Sequence, residues 1–162
     1  MNLPGFYLKI ISVFNLNKVK YLLIGGHAVN FYGYVRVTAD MDIWVSNEST
    51  NLEKLFKSLL ELGYNEENCK KALDFFMENH MIKIPKDTDL VELLDSFMVK
   101  TDFESAYKNR ETANIDGIKI NIIGFNELIK SKTKSNRDKD LNDVKELQEI
   151  KKIIDDKKSG QT

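Results

Sequence analysis

The sequence has 162 residues, of which 42% are hydrophobic and 30% are charged, a balance typical of a globular domain. Its net charge of −1 excludes the globally basic surface of many nucleic-acid-binding proteins, although a local basic patch stays possible. The single cysteine, Cys69, excludes an internal disulfide, and no apolar stretch reaches the roughly 18 residues of a membrane-spanning helix. We therefore predict a cytoplasmic protein without a membrane partner, with one domain over residues 1–155 and a flexible tail over residues 156–162.

The first half of the chain predicts alternating helices and strands. Helical spacing of apolar residues predicts a helix over residues 6–17. Short apolar runs predict buried strands over residues 21–24 and 42–45, and the segment between them predicts a short helix over residues 27–34. Further helices are predicted over residues 52–62 and 68–77.

The second half of the chain begins with two predicted strands, over residues 81–84 and 90–94, joined by the turn PKDTD. A short helix over residues 103–108 follows. Asp116-Gly117 lies between two alternating runs and predicts a hairpin. Two C-terminal helices are predicted over residues 125–132 and 138–154. This order predicts an α/β fold of the α+β type, with helices packed on a mixed β-sheet and helices at the C-terminus.

Two acidic residues lie at the start of the second predicted strand. Alternate side chains of a strand share a face, so Asp40 and Asp42 are expected to point the same way. Two close carboxylates repel each other unless a cation lies between them, and Mg²⁺ prefers such oxygen ligands. An Asp-x-Asp pair by itself also fits a solvated loop, so the neighbouring residues decide its interpretation.

A glycine pair precedes this acidic pair in the chain. The first predicted strand ends at Gly25 and Gly26, and a helix follows at once. Glycine permits a close approach of phosphate to the backbone, and the amides at a helix start favour an anion. The sequence therefore predicts a phosphate-binding turn beside metal ligands.

A site with two metals is expected to have a third acid, and the candidates are Asp89, Glu92 and Asp95. Glu92 is favoured because it lies inside the apolar run LVELL, where a carboxylate without a partner would be costly. Asp89 and Asp95 lie at the ends of the strand, where turn and capping roles are common.

Several polar residues near these motifs have two interpretations. His27 either donates to a phosphate or is a partly exposed residue at a helix start. Arg36 either contacts a triphosphate or pairs with an acid, and Thr38 is expected to order its loop. Trp44 either stacks on a base or packs in the core.

Basic and acidic residues alternate near the C-terminus. Lys139 and Asp143 have the i,i+4 spacing of a helical ion pair. Asp140 and Asp143 are interpreted as structural partners of basic residues. Lys132 and Arg137 belong to a basic cluster that could meet phosphates.

These residues together resemble a known family. The first segment matches the pattern GG-x-A-V followed by G-x-x-R-x-T-x-D-x-D, with Gly25, Gly26, Ala28, Val29, Gly33, Arg36, Thr38, Asp40 and Asp42. A later segment matches K-x4-R-x-K-D-x-x-D, with Lys132, Arg137, Lys139, Asp140 and Asp143. Both patterns resemble those of minimal nucleotidyltransferases of the DNA polymerase beta superfamily, and they are most similar to the AbiE-type toxin branch.

The resemblance implies a nucleotidyltransferase fold and a nucleoside triphosphate substrate. It also implies two Mg²⁺ ions, or Mn²⁺, held by Asp40, Asp42 and Glu92, although the family normally has Asp at the third position. The superfamily's general motif has Gly-Ser where this chain has Gly25-Gly26. Contacts to nucleotide or phosphate are expected from Gly25, Gly26, His27, Arg36, Thr38, Lys132 and Arg137.

The expected reaction moves a nucleoside monophosphate to an acceptor hydroxyl. The acceptor is expected to be a tRNA or a protein side chain in a toxin–antitoxin or abortive-infection system, or else a small molecule such as an antibiotic. One alternative is a non-catalytic nucleotide-binding module that acts as an antitoxin or partner subunit. A further alternative is an α/β interaction domain with fortuitous aspartates.

Overall fold

The computed structural model describes residues 3–96, 101–135 and 137–160. It confirms the predicted mixed sheet with packed helices. The elements in chain order are α1 (Gly5–Leu16), β1 (Tyr21–Leu23), α2 (Gly25–Phe31), β2 (Met41–Val45), α3 (Ser49–Glu61), α4 (Glu66–Asn79), β3 (Met81–Lys86), β4 (Asp89–Leu94), α5 (Phe103–Lys108), β5 (Glu111–Ile115), β6 (Ile118–Ile122), α6 (Phe125–Ser135) and α7 (Asp138–Ser159).

The described strands form one sheet with the order β3-β4-β2-β1-β6-β5. β1 and β2 are antiparallel neighbours at its centre, so the end of β1 lies beside the start of β2. β4 runs parallel to β2, and β6 runs parallel to β1. The hairpins β3–β4 and β5–β6 complete the sheet. This topology places the glycines after β1 next to the acids at the start of β2.

The core lies between the central strands and the helices. All three residues of β1 are buried, and Met41, Ile43 and Val45 of β2 are fully buried. Trp44 is also buried, because its indole packs edge-on against Phe103 and donates a hydrogen bond to the Asp95 carbonyl. The core interpretation of Trp44 is therefore confirmed.

Several element ends differ from the predicted ones. α2 begins at Gly25, two residues early, because the Ala28 amide already donates a helical hydrogen bond to the Ile24 carbonyl. α4 begins at Glu66, since the Asn65 side chain accepts a hydrogen bond from the Asn68 amide and caps the helix.

The last helix, α7, continues to Ser159, five residues past the predicted end. Residues 151–159 are exposed, so no buried apolar stripe marks where the helix ends. Residues 156–159 of the predicted tail are thus helical. Among the described helices, none is both long and apolar enough to cross a membrane.

Candidate active site

Three carboxylates converge at the centre of the sheet. Asp40 lies just before β2, Asp42 is the second residue of β2, and Glu92 of β4 is the direct neighbour of Asp42 in the parallel pair. One carboxylate oxygen from each acid lies within 4.8 Å of the others, and all three residues are half-buried. This acidic cluster has the geometry that was expected for a metal site.

The two rival acids lie outside the acidic cluster. Asp89 opens β4 and is paired across the hairpin with Lys86. The Asp95 carboxylate lies 3.0 Å from the ring of His80, which caps the end of α4 with a left-handed backbone. The structure therefore groups Glu92, and neither rival, with Asp40 and Asp42.

The acidic cluster has an excess of negative charge. Burial and the charges of Asp40 and Glu92 together raise the pKa of Asp42 to about 6, against the opposing charges of Lys132 and Lys139. Lys83 forms an ion pair with Glu92 at 2.8 Å, but this lysine is about half exposed. Clustered oxygen ligands that repel one another and remain partly open fit a divalent cation such as Mg²⁺.

Gly25 and Gly26 are required by their contacts with the site. Gly25 has a φ of +63°, and a Cβ atom there would overlap the Asp42 carboxylate. A Cβ atom at Gly26 would overlap the Thr38 side chain. The Ile24 amide also donates to the Asp42 carbonyl at 3.0 Å. The glycine turn is therefore packed directly against the start of β2, which carries Asp42.

A cavity of about 460 Å³ opens over the acidic cluster. Every predicted site residue except His27 lines it, together with Val37, Ala39 and Lys139. A smaller hollow of about 170 Å³ shares Gly25, Asp42, Lys132 and Arg137 with this cavity. The smaller hollow adds Ser96, Ser131 and Ser135, which the sequence did not single out because isolated serines carry no recognisable spacing.

His27 occupies a different environment from the one expected. It is 6% exposed, and its ring packs edge-on against Tyr7 of α1 with 5.6 Å between centroids. Both ring nitrogens are buried without a hydrogen-bond partner in the described structure. Burial lowers the pKa of His27, and Asp40 opposes this shift. The expectation of a partly exposed histidine is wrong, and His27 is not among the residues that line the cavity.

A second set of charges, the ion-pair frame, forms part of the cavity wall. The Lys132 ammonium is buried and contacts Asp140 at 2.6 Å and Asp143 at 3.0 Å. Arg36 binds both oxygens of Asp143, at 2.8 and 3.1 Å. The ion-pair frame comprises Arg36, Lys132, Arg137, Asp140 and Asp143.

The ion-pair frame decides between the roles that the sequence left open for its arginine and its acids. Arg36 pairs with an acid, and the structural role predicted for Asp140 and Asp143 is confirmed. The expected partner of Asp143 was Lys139, but Asp143 contacts Arg36 and Lys132 instead. The Thr38 hydroxyl donates to the Asp40 carbonyl at 3.4 Å, as expected of a loop-ordering residue.

Asp140 has the opposite electrostatic surroundings to Asp42. Burial favours its protonated form, but hydrogen bonds from Lys132, Ser135 and Arg137 outweigh burial and lower the pKa of Asp140 to about 2. Asp140 is therefore firmly ionised and fully neutralised by its partners. The cavity thus combines an acidic floor with a basic wall, an arrangement that suits a polyphosphate bound through cations.

The sheet topology, the paired acids and the glycine turn together define a nucleotidyltransferase fold. The chain belongs to the family described as "Nucleotidyl transferase of unknown function (DUF2204)", whose profile matches residues 6–160. Membership confirms the general resemblance found in the sequence. None of the curated proteins matches the chain significantly.

Solved structures with the same fold include three nucleotidyltransferase-like proteins. The lincosamide antibiotic adenylyltransferase LnuA, solved with lincomycin bound, has 17% identity and a TM-score of 0.58, with 93% of this chain and 99% of that chain covered. ANT(2″)-Ia, in complex with adenylyl-2″-tobramycin, has 11% identity and a TM-score of 0.54, with 97% of each chain covered. An antigenic nucleotidyltransferase-like protein from Paracoccidioides brasiliensis has 16% identity and a TM-score of 0.52, with 91% and 77% covered. At these identities the likeness establishes the fold.

Proposed function

We propose that this protein transfers a nucleoside monophosphate from a nucleoside triphosphate to an acceptor hydroxyl and releases pyrophosphate. The convergence of Asp40, Asp42 and Glu92 within 4.8 Å is the observation that carries this proposal. The basic wall of the same cavity and the membership of a nucleotidyl transferase family support it.

Asp40, Asp42 and Glu92 would hold two Mg²⁺ ions, for which Mn²⁺ could substitute. When bound, such ions lower the pKa of an attacking hydroxyl and stabilise the charge on the leaving pyrophosphate. Glu92 is one methylene longer than the aspartate usual in the family, and Lys83 contacts its carboxylate. A bound cation and Lys83 would therefore compete for the same carboxylate.

The other cavity residues would bind and orient the triphosphate. Gly25 and Gly26 line the cavity, where their backbone would approach a phosphate closely. Arg137 and Lys139 are exposed at the cavity rim, where they can neutralise phosphate charge. Lys132 and Arg36 hold the wall in place through the ion-pair frame. Catalysis would then come mainly from positioning and electrostatic stabilisation.

We propose an RNA such as a tRNA, or a protein, as the acceptor, because the sequence patterns are most similar to the AbiE-type toxin branch. In such a system, a cognate antitoxin or another partner protein would bind this chain in the cytoplasm. A small-molecule acceptor is the second candidate. It is favoured by the near-complete overlap with LnuA and ANT(2″)-Ia, whose structures hold lincomycin and adenylyl-2″-tobramycin.

A non-catalytic nucleotide-binding module is the remaining alternative. The observation that favours it is the Lys83–Glu92 ion pair, which neutralises one of the three acids. Such a module would bind a triphosphate with Mg²⁺ but would not label any acceptor.

Calorimetric titration of each of the four nucleoside triphosphates with Mg²⁺ tests the site. We expect one triphosphate to bind the wild type, because the acidic cluster and basic wall complement a metal–triphosphate complex. Binding should be lost in the double variant Asp40→Asn/Asp42→Asn and in Glu92→Gln. Asp89→Asn is the matched control, since it removes a half-buried acid from the same strand and should bind normally.

The titration separates the proposals clearly. Failure of the wild type to bind any of the four triphosphates would contradict the proposed function. Binding that persists in the double variant would remove the acidic cluster from the site. With binding established, incubation of a radiolabelled triphosphate with total RNA, cell protein or aminoglycoside and lincosamide antibiotics identifies the acceptor by the fraction that becomes labelled.

A further inference from the structure

An apolar groove follows the outer edge of β3, on the far side of this strand from β4. Its larger part has a volume of about 410 Å³ and lies between β3 and α4, where Cys69, Ala72 and Phe75 line it. A second hollow of about 150 Å³ continues it toward α1 and shares Tyr64, Ile84 and Pro85 with the first. We call the two hollows together the edge groove.

The edge groove exposes apolar surface that the fold does not cover. Phe75 is 54% exposed and Tyr64 is 38% exposed, although both are large side chains. Most of the groove's lining area is contributed by apolar residues, with Asn68 and Lys83 among the few polar ones in the larger hollow. A cavity of several hundred Å³ with an apolar lining and few polar groups is typical of a binding site.

The backbone of β3 offers free hydrogen-bonding groups along the same groove. In an antiparallel pair, residues alternate between those that bond to the partner strand and those whose amides point outward. The Asp95 amide donates to the His80 carbonyl, which makes His80 and Asp95 a bonded pair. Counting from that pair along the register, Met81, Lys83 and Pro85 direct their backbone groups away from β4.

Pro85 supports this assignment independently. Proline has no amide to donate, so in a paired strand it occupies a position whose amide would point outward. β3 is an edge strand of the described sheet. In the described parts of the chain, the amides of Met81 and Lys83 make no backbone hydrogen bond outside the sheet. The edge is therefore ready to pair with one more strand.

The charge of the edge groove indicates what such a strand would carry. Lys9 and Lys86 line the smaller hollow, and Lys83 lines the larger one, although its ammonium is already paired with Glu92. Among the described residues, no Asp or Glu lines either hollow. A second copy of β3 would bring the same lysines against these, and like charges on paired strands are destabilising. A strand with acidic side chains would be complementary.

We propose that the outer edge of β3 binds an extended segment of a partner protein as an added β-strand. Apolar side chains of this segment enter the edge groove, and acidic side chains meet Lys9 and Lys86. The main chain of the segment pairs with the outward amides of Met81 and Lys83. This site is separate from the nucleotide cavity, and the proposal does not depend on nucleotidyl transfer.

Fluorescence anisotropy of the full chain with labelled peptides tests the proposal. The probes are capped octapeptides that alternate glutamate with leucine, valine, isoleucine or phenylalanine. We expect saturable binding of at least one of them, and roughly tenfold weaker binding when lysine replaces glutamate. No nucleotide is added, so failure of this experiment leaves the proposed function untouched.

Two exposed residues of α4 provide a matched pair of variants. Phe75 lines the edge groove, whereas Met77 is 47% exposed on the same helix and does not line it. We expect Phe75→Asp to weaken peptide binding by about tenfold or more and Met77→Asp to change it less than about twofold. Circular dichroism checks that both variants fold, as their exposure leads us to expect.

Amide hydrogen exchange distinguishes strand addition from binding in the groove alone. Peptide binding should slow exchange at Met81 and Lys83 and leave the amides of β5, the opposite edge strand, unchanged. Binding without protection at Met81 and Lys83 would overturn the proposal, and so would the absence of binding by every glutamate peptide. Protection of these amides in a peptide-free dimer would assign the edge to a second copy and would also overturn it.

Discussion

The acidic cluster and the ion-pair frame contain the same kind of side chain in opposite surroundings. Asp42 has two acids close by, and its pKa rises to about 6, whereas Asp140 has Lys132, Ser135 and Arg137 as donors, and its pKa falls to about 2. Asp140 and Asp143 are almost fully buried, but the three acids of the cluster remain partly open.

This difference shows how the fold separates structural from functional charge. Buried carboxylates that have basic partners hold α6, α7 and the loop before β2 together. The partly open carboxylates lack enough basic partners, so they raise the energy of the metal-free fold and leave strong ligands for a cation. Three variants test this contrast: Lys132→Met, Asp42→Asn and Lys83→Met.

The ion-pair frame should be most sensitive to the loss of Lys132. Lys132→Met keeps the length of the side chain but leaves Asp140 and Asp143 buried with fewer positive partners. We expect the free energy of unfolding to fall by about 3–5 kcal/mol, measured by urea denaturation at pH 7. Lys134→Met, an exposed position on the same helix, should change it by less than about 0.5 kcal/mol. Equal effects of the two variants would show that Lys132 is not essential to the frame.

The acidic cluster should make the metal-free protein less stable as the pH rises. The unfolded chain loses the Asp42 proton near 3.8 and the folded chain near 6, so the free energy of unfolding falls between these values. Asp42→Asn removes this loss and should be the more stable protein at pH 7, by about 2–3 kcal/mol. Thermal or urea unfolding from pH 4 to pH 8 in a chelator measures the difference.

Extending the same titration down to pH 2 adds an internal comparison. Asp140 has a lowered pKa, so its contribution to stability is present above pH 4 and is lost as the pH falls toward 2. The two groups therefore give slopes of opposite sign in separate pH ranges. A wild type and an Asp42→Asn variant whose stability difference did not change between pH 4 and pH 7 would contradict the raised pKa of Asp42.

The ion pair between Lys83 and Glu92 should have the smallest effect. Lys83 is 54% exposed, so Lys83→Met should lower the free energy of unfolding by less than about 1 kcal/mol. Because Lys83 competes with a cation for Glu92, the variant should bind Mg²⁺ more tightly, by severalfold in calorimetry. Lys86→Met serves as the control, since Lys86 lies on the same strand outside the acidic cluster. Weaker Mg²⁺ binding by Lys83→Met alone would show that Lys83 supports the site.

Much of the acidic cluster could be predicted from the sequence because its parts are local. Asp40 and Asp42 belong to one strand start, and Gly25-Gly26 marks the end of another. Glu92 was identifiable from its apolar neighbours, although only the register of β4 against β2 brings it beside Asp42. The hairpin was likewise predictable, because its turn, Asp116-Gly117, lies directly between Ile115 and Ile118 at the ends of its two strands.

The parts that the sequence did not reveal depend on contacts between distant segments. Asp143 contacts Arg36, which lies 107 positions earlier, and helical spacing suggested the nearer Lys139 instead. His27 is buried because Tyr7 of α1 packs against it, a contact that no pattern around His27 indicates. The edge groove depends on the packing of α4 beside β3, and each of these elements alone resembles an ordinary amphipathic segment.

The contact between Arg36 and Asp143 also has a consequence for how the protein matures during synthesis. The ribosome makes the glycine turn and Asp40, Asp42 and Glu92 well before α7, which supplies Asp140 and Asp143. Until α7 emerges, Lys132 and Arg36 have no acid from the frame to hold them, and the basic wall of the cavity cannot be fixed. The nascent chain therefore carries the three acids of the cluster before the basic wall is complete, and under the proposed function we expect activity only after the last helix has docked.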